Sequence, residues 1–342
     1  MYSFKNDYSE GAHPRILDAL LRSNMEQEEG YGLDRYSKEA IKLLKEKIMN
    51  KEVDIHLLQG GTQTNLIAIS AFLKPYEAAI AANTGHILVH ETGAIEATGH
   101  KVISVPSADG KINSKDIEKV LNEHVDEHMV KPKLVYISNP TEIGTIYKKE
   151  ELKELSETCK KNNLILYVDG ARLGSALMSE SNNMSLSDLA TFTDAFYIGA
   201  TKNGGLMGEA LIICNENLKN DFRFSIKQRG GLVAKGRVLG IQFLELFKDN
   251  LYFELANHAN KMSSIIKESI DECKLDVLIT SDTNQLFPIV PNSVLAELEK
   301  KYKFTLWERL DEENTVIRIV TSWATKEEKV IELANDFRNL VK

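Results

Sequence analysis

At 342 residues, 43% of them hydrophobic, the chain can bury a large core, and its length points to roughly two domains of about 150 residues each. A charged content of 27% and a net charge of −8 leave no basic tail or patch to neutralise phosphates, which sets nucleic acid and anionic membrane aside as partners. Three widely spaced cysteines, Cys159, Cys214 and Cys273, make neither a disulfide framework nor a CxxC metal site, and no apolar stretch approaches the ~20 residues that span a bilayer. Met1–Asp7 lacks a basic start with an apolar core behind it, so the expectation is an unexported protein of the reducing cytoplasm.

Short Val- and Ile-rich runs alternate with longer amphipathic segments through the first two thirds, the pattern of strands that cross over through helices into a mainly parallel sheet. Strands are predicted at 53–58, 78–82, 86–89, 101–105, 133–138, 164–168, 194–199 and 209–214. Their near-continuous hydrophobicity, as in Lys133–Ser138, fits a sheet covered on both faces. Helices are predicted at 35–50, 63–74, 114–127 and 148–162; the third opens on Ser114 and repeats Ile117, Val120, Leu121 and Val125 at helical spacing. A long helical stretch over 234–272 leads into strands at 276–279, 285–290 and 316–321 and helices near 293–302 and 325–341. The resulting expectation is an α/β protein with a large domain over 1–250, a mainly parallel sheet flanked by helices, and a small C-terminal α+β domain over 251–342. With no Pro- or Ser-rich linker between them, the two should share an interface.

Three junctions carry possible chemistry. Gly60–Gly61–Thr62–Gln63–Thr64–Asn65 follows one strand and opens a helix, where free amides and the helix dipole favour an anion such as phosphate; it lacks Walker A and GxGxxG spacing, and a plain turn and cap would look the same. Asp169 ends the apolar run Leu164–Val168, at the edge where open α/β sheets place ligands, although turn aspartates are common there. Lys202 follows Phe196–Thr201 and precedes Gly204, Gly205 and Gly208, and in isolation reads as a solvated charge. In order along the chain, a phosphate turn, a strand-end acid and a strand-end lysine match the needs of pyridoxal phosphate, which takes a carboxylate at its ring nitrogen and an amine for its aldehyde.

These segments resemble the threonine aldolase and β-eliminating lyase family of fold-type I pyridoxal phosphate enzymes over nearly the whole chain. The resemblance rests on Asn6–Asp7 with Pro14, Gly30–Asp34, Gly61–Thr62 with Asn65, Gly85–His86–Ile87, Asp169–Gly170–Ala171–Arg172–Leu173, Thr201–Lys202–Asn203–Gly204 and the Gly230–Gly231 turn. It implies the aspartate aminotransferase-like fold and a pyridoxal 5'-phosphate cofactor held by Lys202 as a Schiff base, with Asp169 at the ring nitrogen and Gly61 and Thr62 at the phosphate. His86 would stack on the ring and serve as a base, with His128 as a second candidate for that role. Arg172 and Arg318 would contact the substrate carboxylate, Arg172 also the cofactor, and Tyr31 would reach a neighbouring subunit's site in a homodimer or homotetramer. Three departures bear on the substrate: Asn6–Asp7–Tyr8 stands where the family has serine–aspartate–threonine, Gly60 where it has serine, and Leu232–Val233–Ala234–Lys235 where it has methionine–arginine.

The reaction the resemblance implies is aldol cleavage of a β-hydroxy amino acid, L-threonine or L-allo-threonine giving glycine and acetaldehyde, through an external aldimine and a quinonoid. β-Elimination or transamination of another amino acid is the alternative on the same cofactor. A metal hydrolase built on His86, His90, Glu91, Glu96 and His100 lacks HExxH spacing, and no metal is expected. A binding protein on this fold has no need of Lys202 and Asp169 together.

Overall fold

The computed structural model describes residues 1–341. After α1 (Pro14–Ser23) and α2 (Arg35–Ile48), the chain lays down β1 (Asp54–Leu58), α3 (Gly61–Phe72), β2 (Glu77–Ala82), β3 (Val102–Val105), α4 (Ser114–Glu123), β4 (Lys131–Ser138), α5 (Lys149–Lys161), β5 (Ile165–Asp169), α6 (Leu186–Phe192), β6 (Ala195–Gly199) and β7 (Glu209–Ile213). The seven strands form one sheet in the order β1-β7-β6-β5-β4-β2-β3. All neighbours are parallel except β7, which runs antiparallel to both β1 and β6.

Alternation within the buried strands divides two cores. Val135, Ile137, Leu166, Val168, Phe196, Ile198, Ala210 and Ile212 face one side with α2, α4 and α5, whereas Leu134, Tyr136, Ile165, Tyr167, Tyr197, Leu211 and Ile213 face α3 on the other. Helix starts follow local chemistry: Asp34 accepts the Ser37 amide at 2.8 Å to cap α2, and Asn113 with Asp116 forms a capping box on α4.

The last part holds α7 (Arg237–Phe247), α8 (Leu251–Glu272), a smaller antiparallel sheet of β8 (Gln285–Leu286), β9 (Ile289–Pro291), β10 (Thr305–Arg309) and β11 (Asn314–Val320), and α9 (Glu327–Leu340). Its core of Met262, Ile266, Val290, Leu298, Ile317, Ile319, Leu333 and Phe337 also takes in Phe4, and Tyr2–Ser3 pairs in parallel with Tyr302–Lys303. The beginning of the chain is thus folded against its end.

Four expectations are corrected. Residues 86–89 form one helical turn, since three apolar residues after His86 carry no periodicity to separate strand from helix. The stretch 234–272 is two helices, broken where Asp249 and Asn250 take left-handed φ of 55° and 62°. Residues 276–279 contribute a single bridge, Val277 to Pro288, and the helix expected over 114–127 stops at Glu123.

Candidate active site

One edge of the large sheet gathers the functional side chains. Strands β1, β4, β5 and β6 end there at Leu58, Ser138, Asp169 and Gly199, and the reversed β7 begins there at Glu209. Gly170 and Gly199 allow the turn after β5 to approach β6 closely: the Gly199 amide donates to the Gly170 carbonyl at 3.0 Å, and a Cβ on Gly170 would fall 1.9 Å from the Tyr197 carbonyl oxygen.

Asp169 is buried and fully engaged. Its Oδ2 accepts from Tyr136 Oη at 2.6 Å and Asn65 Nδ2 at 3.0 Å, and its Oδ1 accepts from Tyr197 Oη at 2.5 Å and the Ala171 amide at 3.0 Å. Burial pushes its carboxyl upward, but the nearby His86 imidazole and the hydrogen bonds from Tyr136, Tyr197 and Asn65 more than offset this and hold it below the usual carboxylate value. The group is an ionised carboxylate that faces the site.

Lys202 reaches the same edge from the loop after β6. Among the described residues its amine makes no hydrogen bond or ion pair, and burial, joined by the Arg172 charge, pulls it below the ordinary lysine value against Asp7, Asp169 and Glu209. Across from it, α3 begins at Gly61 with no side-chain cap on its free amides. Gly60 has open space around it, and a Cβ on Gly61 would come 3.1 Å from Tyr197 Oη. Gln59 and Gln63 tie the Arg229–Gly231 turn to this helix start, each through a 3.4 Å hydrogen bond to its carbonyls.

His86 opens the helical turn after β2. Its Nδ1 lies 2.8 Å from Glu91 Oε1, which also accepts from Asn65 at 2.8 Å, while its backbone amide donates to Glu142 Oε1 at 2.9 Å. A proton on Nδ1 directed at a carboxylate leaves Nε2 as the free acceptor on a ring that is one third exposed. Tyr136, Tyr197 and Glu142 were not singled out from the sequence, Asn65 entered only through the resemblance, and Glu91 only among possible metal ligands. Their available signal was the period-two spacing of Tyr136 with Ser138 and Tyr167 with Asp169, which places a hydroxyl on the same face as each strand end.

The two arginines differ. Arg172 donates to Asp7 through Nε at 2.6 Å and Nη2 at 3.1 Å, and Asp7 accepts further from Asn284 at 3.0 Å. Arg318, on β11, stands 5.4 Å from the Trp307 ring centroid, and its Nε is buried without a partner. Burial and the neighbouring Arg172 charge pull Arg318 below its ordinary value, an arrangement that an anion between the two guanidinium groups would relieve.

Two candidates stand apart. Tyr31 lies on a loop with φ of 59°, under Lys227 Nζ at 4.6 Å from its ring, lining a cleft with His56 and Arg223. His128 is exposed just before the first residue of β4, whereas the site lies at the strand's last residue, about 25 Å along it. Among the described residues no group of three or more His, Cys, Asp and Glu side chains is placed to hold a metal ion.

These residues fit pyridoxal phosphate. Free helix amides suit its phosphate, a lone unpaired amine suits its aldehyde, and an ionised carboxylate suits its protonated ring nitrogen. The hydroxyls of Tyr136 and Tyr197 rotate about their C–O bonds, so either can yield its place on Asp169 to a ring N–H.

The fold is aspartate aminotransferase-like: Thermus thermophilus aspartate aminotransferase superposes with a TM-score of 0.73 over 99% of this chain and 91% of its own, at 15% identity, and the residues at the sheet edge are those a pyridoxal phosphate enzyme needs. The chain belongs to the beta-eliminating lyase family, which matches residues 7–292. The solved Leishmania major threonine aldolase is 52% identical to this chain, with a TM-score of 0.99 over 100% of both chains. The low specificity L-threonine aldolase of Pseudomonas aeruginosa is 29% identical over 98% of this chain and 96% of its own length.

Proposed function

We propose that the protein is a pyridoxal phosphate-dependent carbon–carbon lyase that cleaves L-threonine and L-allo-threonine to glycine and acetaldehyde. The observation that carries this reading is the meeting, at one sheet edge, of an ionised Asp169, an unpartnered Lys202 amine and an Arg318 whose guanidinium lacks a partner. When bound, pyridoxal phosphate supplies an aldehyde that condenses with amines and a ring that accepts the electron pair of a broken Cα bond.

The chain's own groups do the rest. Lys202 would hold the cofactor's aldehyde, Asp169 would hold the charge at its ring nitrogen, and Gly61 and Thr62 would present amides to its phosphate. Arg318 would hold the substrate carboxylate, with Arg172 behind it, and so would orient the substrate for cleavage of one chosen Cα bond. With Nδ1 fixed on Glu91, His86 uses Nε2 to take the β-hydroxyl proton, directly or through water, as the Cα–Cβ bond breaks.

In this proposal residues 1–250 carry the cofactor and 251–342 bring Arg318 to it. The Tyr31 loop serves a neighbour's site in a homodimer or homotetramer; exposed Leu17, Leu21, Met25, Leu206 and Met207 support such a surface. The three free cysteines support a cytoplasmic setting. No helix among the described residues is long and apolar enough to cross a membrane.

The test is acetaldehyde release from L-threonine and L-allo-threonine by the cofactor-loaded enzyme. Acetaldehyde and glycine in equal amounts are expected; pyruvate and ammonia from serine or cysteine, with no acetaldehyde from either threonine isomer, would overturn the reading.

A further inference from the structure

The proposed chemistry leaves one carboxyl of the site unused. Glu209 is the first residue of β7, and because β7 alone runs against its neighbours, this residue stands where β1 and β6 end, opposite Leu58 and Gly199. It is 3% exposed. Its Oε1 accepts from Thr201 Oγ1 at 2.9 Å, and that hydroxyl accepts in turn from the Gly208 amide at 3.0 Å. Thr201 adjoins Lys202, so the carboxyl closes the root of the lysine loop, beside the bond from the Ala200 amide to the Gly208 carbonyl at 2.8 Å. Its other oxygen, Oε2, is buried with no partner among the described residues.

A buried carboxylate with one bare oxygen is costly, and a neutral acid in the same place costs less. The groups within electrostatic reach are Lys202 on the loop, Asp169 and Tyr167 on β5, Tyr197 on β6 and Tyr252 on α8; β1 offers only the apolar Leu58. Burial pushes Glu209 up to about 8, restrained by the Thr201 hydrogen bond and the Lys202 charge, while Asp169 pushes the same way as burial. Lys202 is displaced in the opposite sense, with Glu209 among the groups that favour its charged form. Each group is drawn toward neutrality by burial and toward charge by the other, which is the behaviour of a pair that titrates as a unit.

We propose that Glu209 is a positioning residue that shares one proton with the Lys202 nitrogen, a neutral acid when that nitrogen is uncharged and a carboxylate when it is positive. The transfer breaks one N–H bond at Lys202 and forms one O–H bond at Glu209 Oε2 through an intervening water, since the two groups are not in direct contact, so the pair keeps a constant net charge. Positive charge at Lys202 can therefore come and go without stranding a charge in the site. Thr201 carries the link sterically, since its hydroxyl fixes both the carboxyl and the loop.

The inference rests on Lys202 as the cofactor's anchor. The experiment follows the visible absorption of the pyridoxal phosphate-loaded enzyme against pH, because the band responds to the proton on the Lys202 nitrogen. Glu209→Gln keeps an acceptor for Thr201 but cannot ionise, and should lower the midpoint by about one pH unit or more. Glu209→Asp keeps an ionisable group and should lie closer to the wild type than Glu209→Gln does. An unchanged midpoint in Glu209→Gln, or an equal fall in Glu209→Asp, would overturn the shared proton and leave a packing role. If Glu209→Gln does not hold the cofactor, infrared difference spectra of wild-type protein with ¹³C-labelled glutamate decide. A protonated carboxyl band that disappears with the visible midpoint, and that loses its isotope shift in Glu209→Asp, supports the proposal; no titrating carboxyl overturns it. A wild-type protein with no visible band on addition of pyridoxal phosphate would overturn the anchor reading and this inference together.

Discussion

Asp7 and Arg172, 165 positions apart in the chain, form a two-bond ion pair in the floor of the site, with side chains only 1% and 13% exposed. The pair joins the N-terminal segment to the turn after β5, and Asn284 adds a third tie from the loop before β8. The Asp7 oxygens would otherwise be bare, and a buried pair broken on one side typically costs about 3–5 kcal/mol. Asp7→Ala should therefore lower the denaturant midpoint of unfolding by an amount equivalent to about 3 kcal/mol. A loss below about 0.5 kcal/mol, the range of ordinary surface substitutions, would show that the pair holds nothing.

The same pair gives a pH dependence with a definite sign. Burial pushes Asp7 up, but the Arg172 and Lys202 charges with the hydrogen bonds from Arg172 and Asn284 outweigh it and hold the carboxyl below its ordinary value of 3.8. A carboxyl with a lowered folded value contributes stability above its unfolded value and loses it as pH falls toward the folded one. Urea unfolding of the wild type should thus show stability dropping below about pH 4, and Asp7→Asn should show a flatter acid limb over the same window. Parallel acid limbs would count against the pair.

Lys202 gives a prediction in which activity and stability separate. Its amine has no partner among the described residues and is displaced toward neutrality by burial, so the fold gains nothing from it. Lys202→Ala should lose aldol cleavage by about a thousandfold or more while the thermal midpoint of the cofactor-free protein stays level or rises. Retained turnover would end the assignment of Lys202 as the anchor, and a large fall in the midpoint would show that its stem supports the loop.

Much of this site was legible because chemistry sits where patterns change. Asp169 and Lys202 each interrupt a run of apolar residues at a strand end, and Gly60–Gly61 separates a strand from a helix, so a linear reading finds all three. Tyr136 and Tyr197 were hidden because tyrosine is an ordinary strand residue, and only the register that sets Ser138 beside Asp169 shows that their hydroxyls converge on one carboxylate. Glu91 was weighed only as a metal ligand, and its pairing with Asn65 and His86 depends on how the turn after β2 folds. The antiparallel course of β7 was equally invisible, because a fully buried strand has no polar side to show its direction. Without that course, Glu209 has no reason to be near Lys202.

Glu91 should act on the reaction through His86. Glu91→Gln keeps a side chain of similar shape but no longer requires a proton on Nδ1, so the fraction of His86 with a free Nε2 falls. The expected result is a kcat lowered about 10- to 100-fold with KM for L-threonine little changed, and a loss of about 10²–10⁴ for His86→Asn. Equal and small effects of both substitutions would remove the imidazole from the proton path and leave water as the base.

Arg318 should carry substrate binding rather than the structure of its strand. It lies between Ile317 and Ile319, both fully buried, yet its own Nε finds no acceptor among the described residues, so the fold leaves it free for a ligand. Arg172, itself held charged by Asp7, depresses the neighbouring Arg318, which favours an anion between them, and the α-carboxylate common to amino acid substrates meets that need. Arg318→Lys keeps the charge but loses the fork, and should raise KM for L-threonine about tenfold; Arg318→Ala should raise it a further tenfold or more. The thermal midpoint of the cofactor-free Arg318→Leu variant should rise, because a buried cation without a partner is replaced by an apolar side chain. Steady-state kinetics and thermal unfolding on the same preparations check both halves. An unchanged KM together with a lower midpoint would assign Arg318 to the packing of β11 against Trp307 and leave Arg172 as the carboxylate's partner.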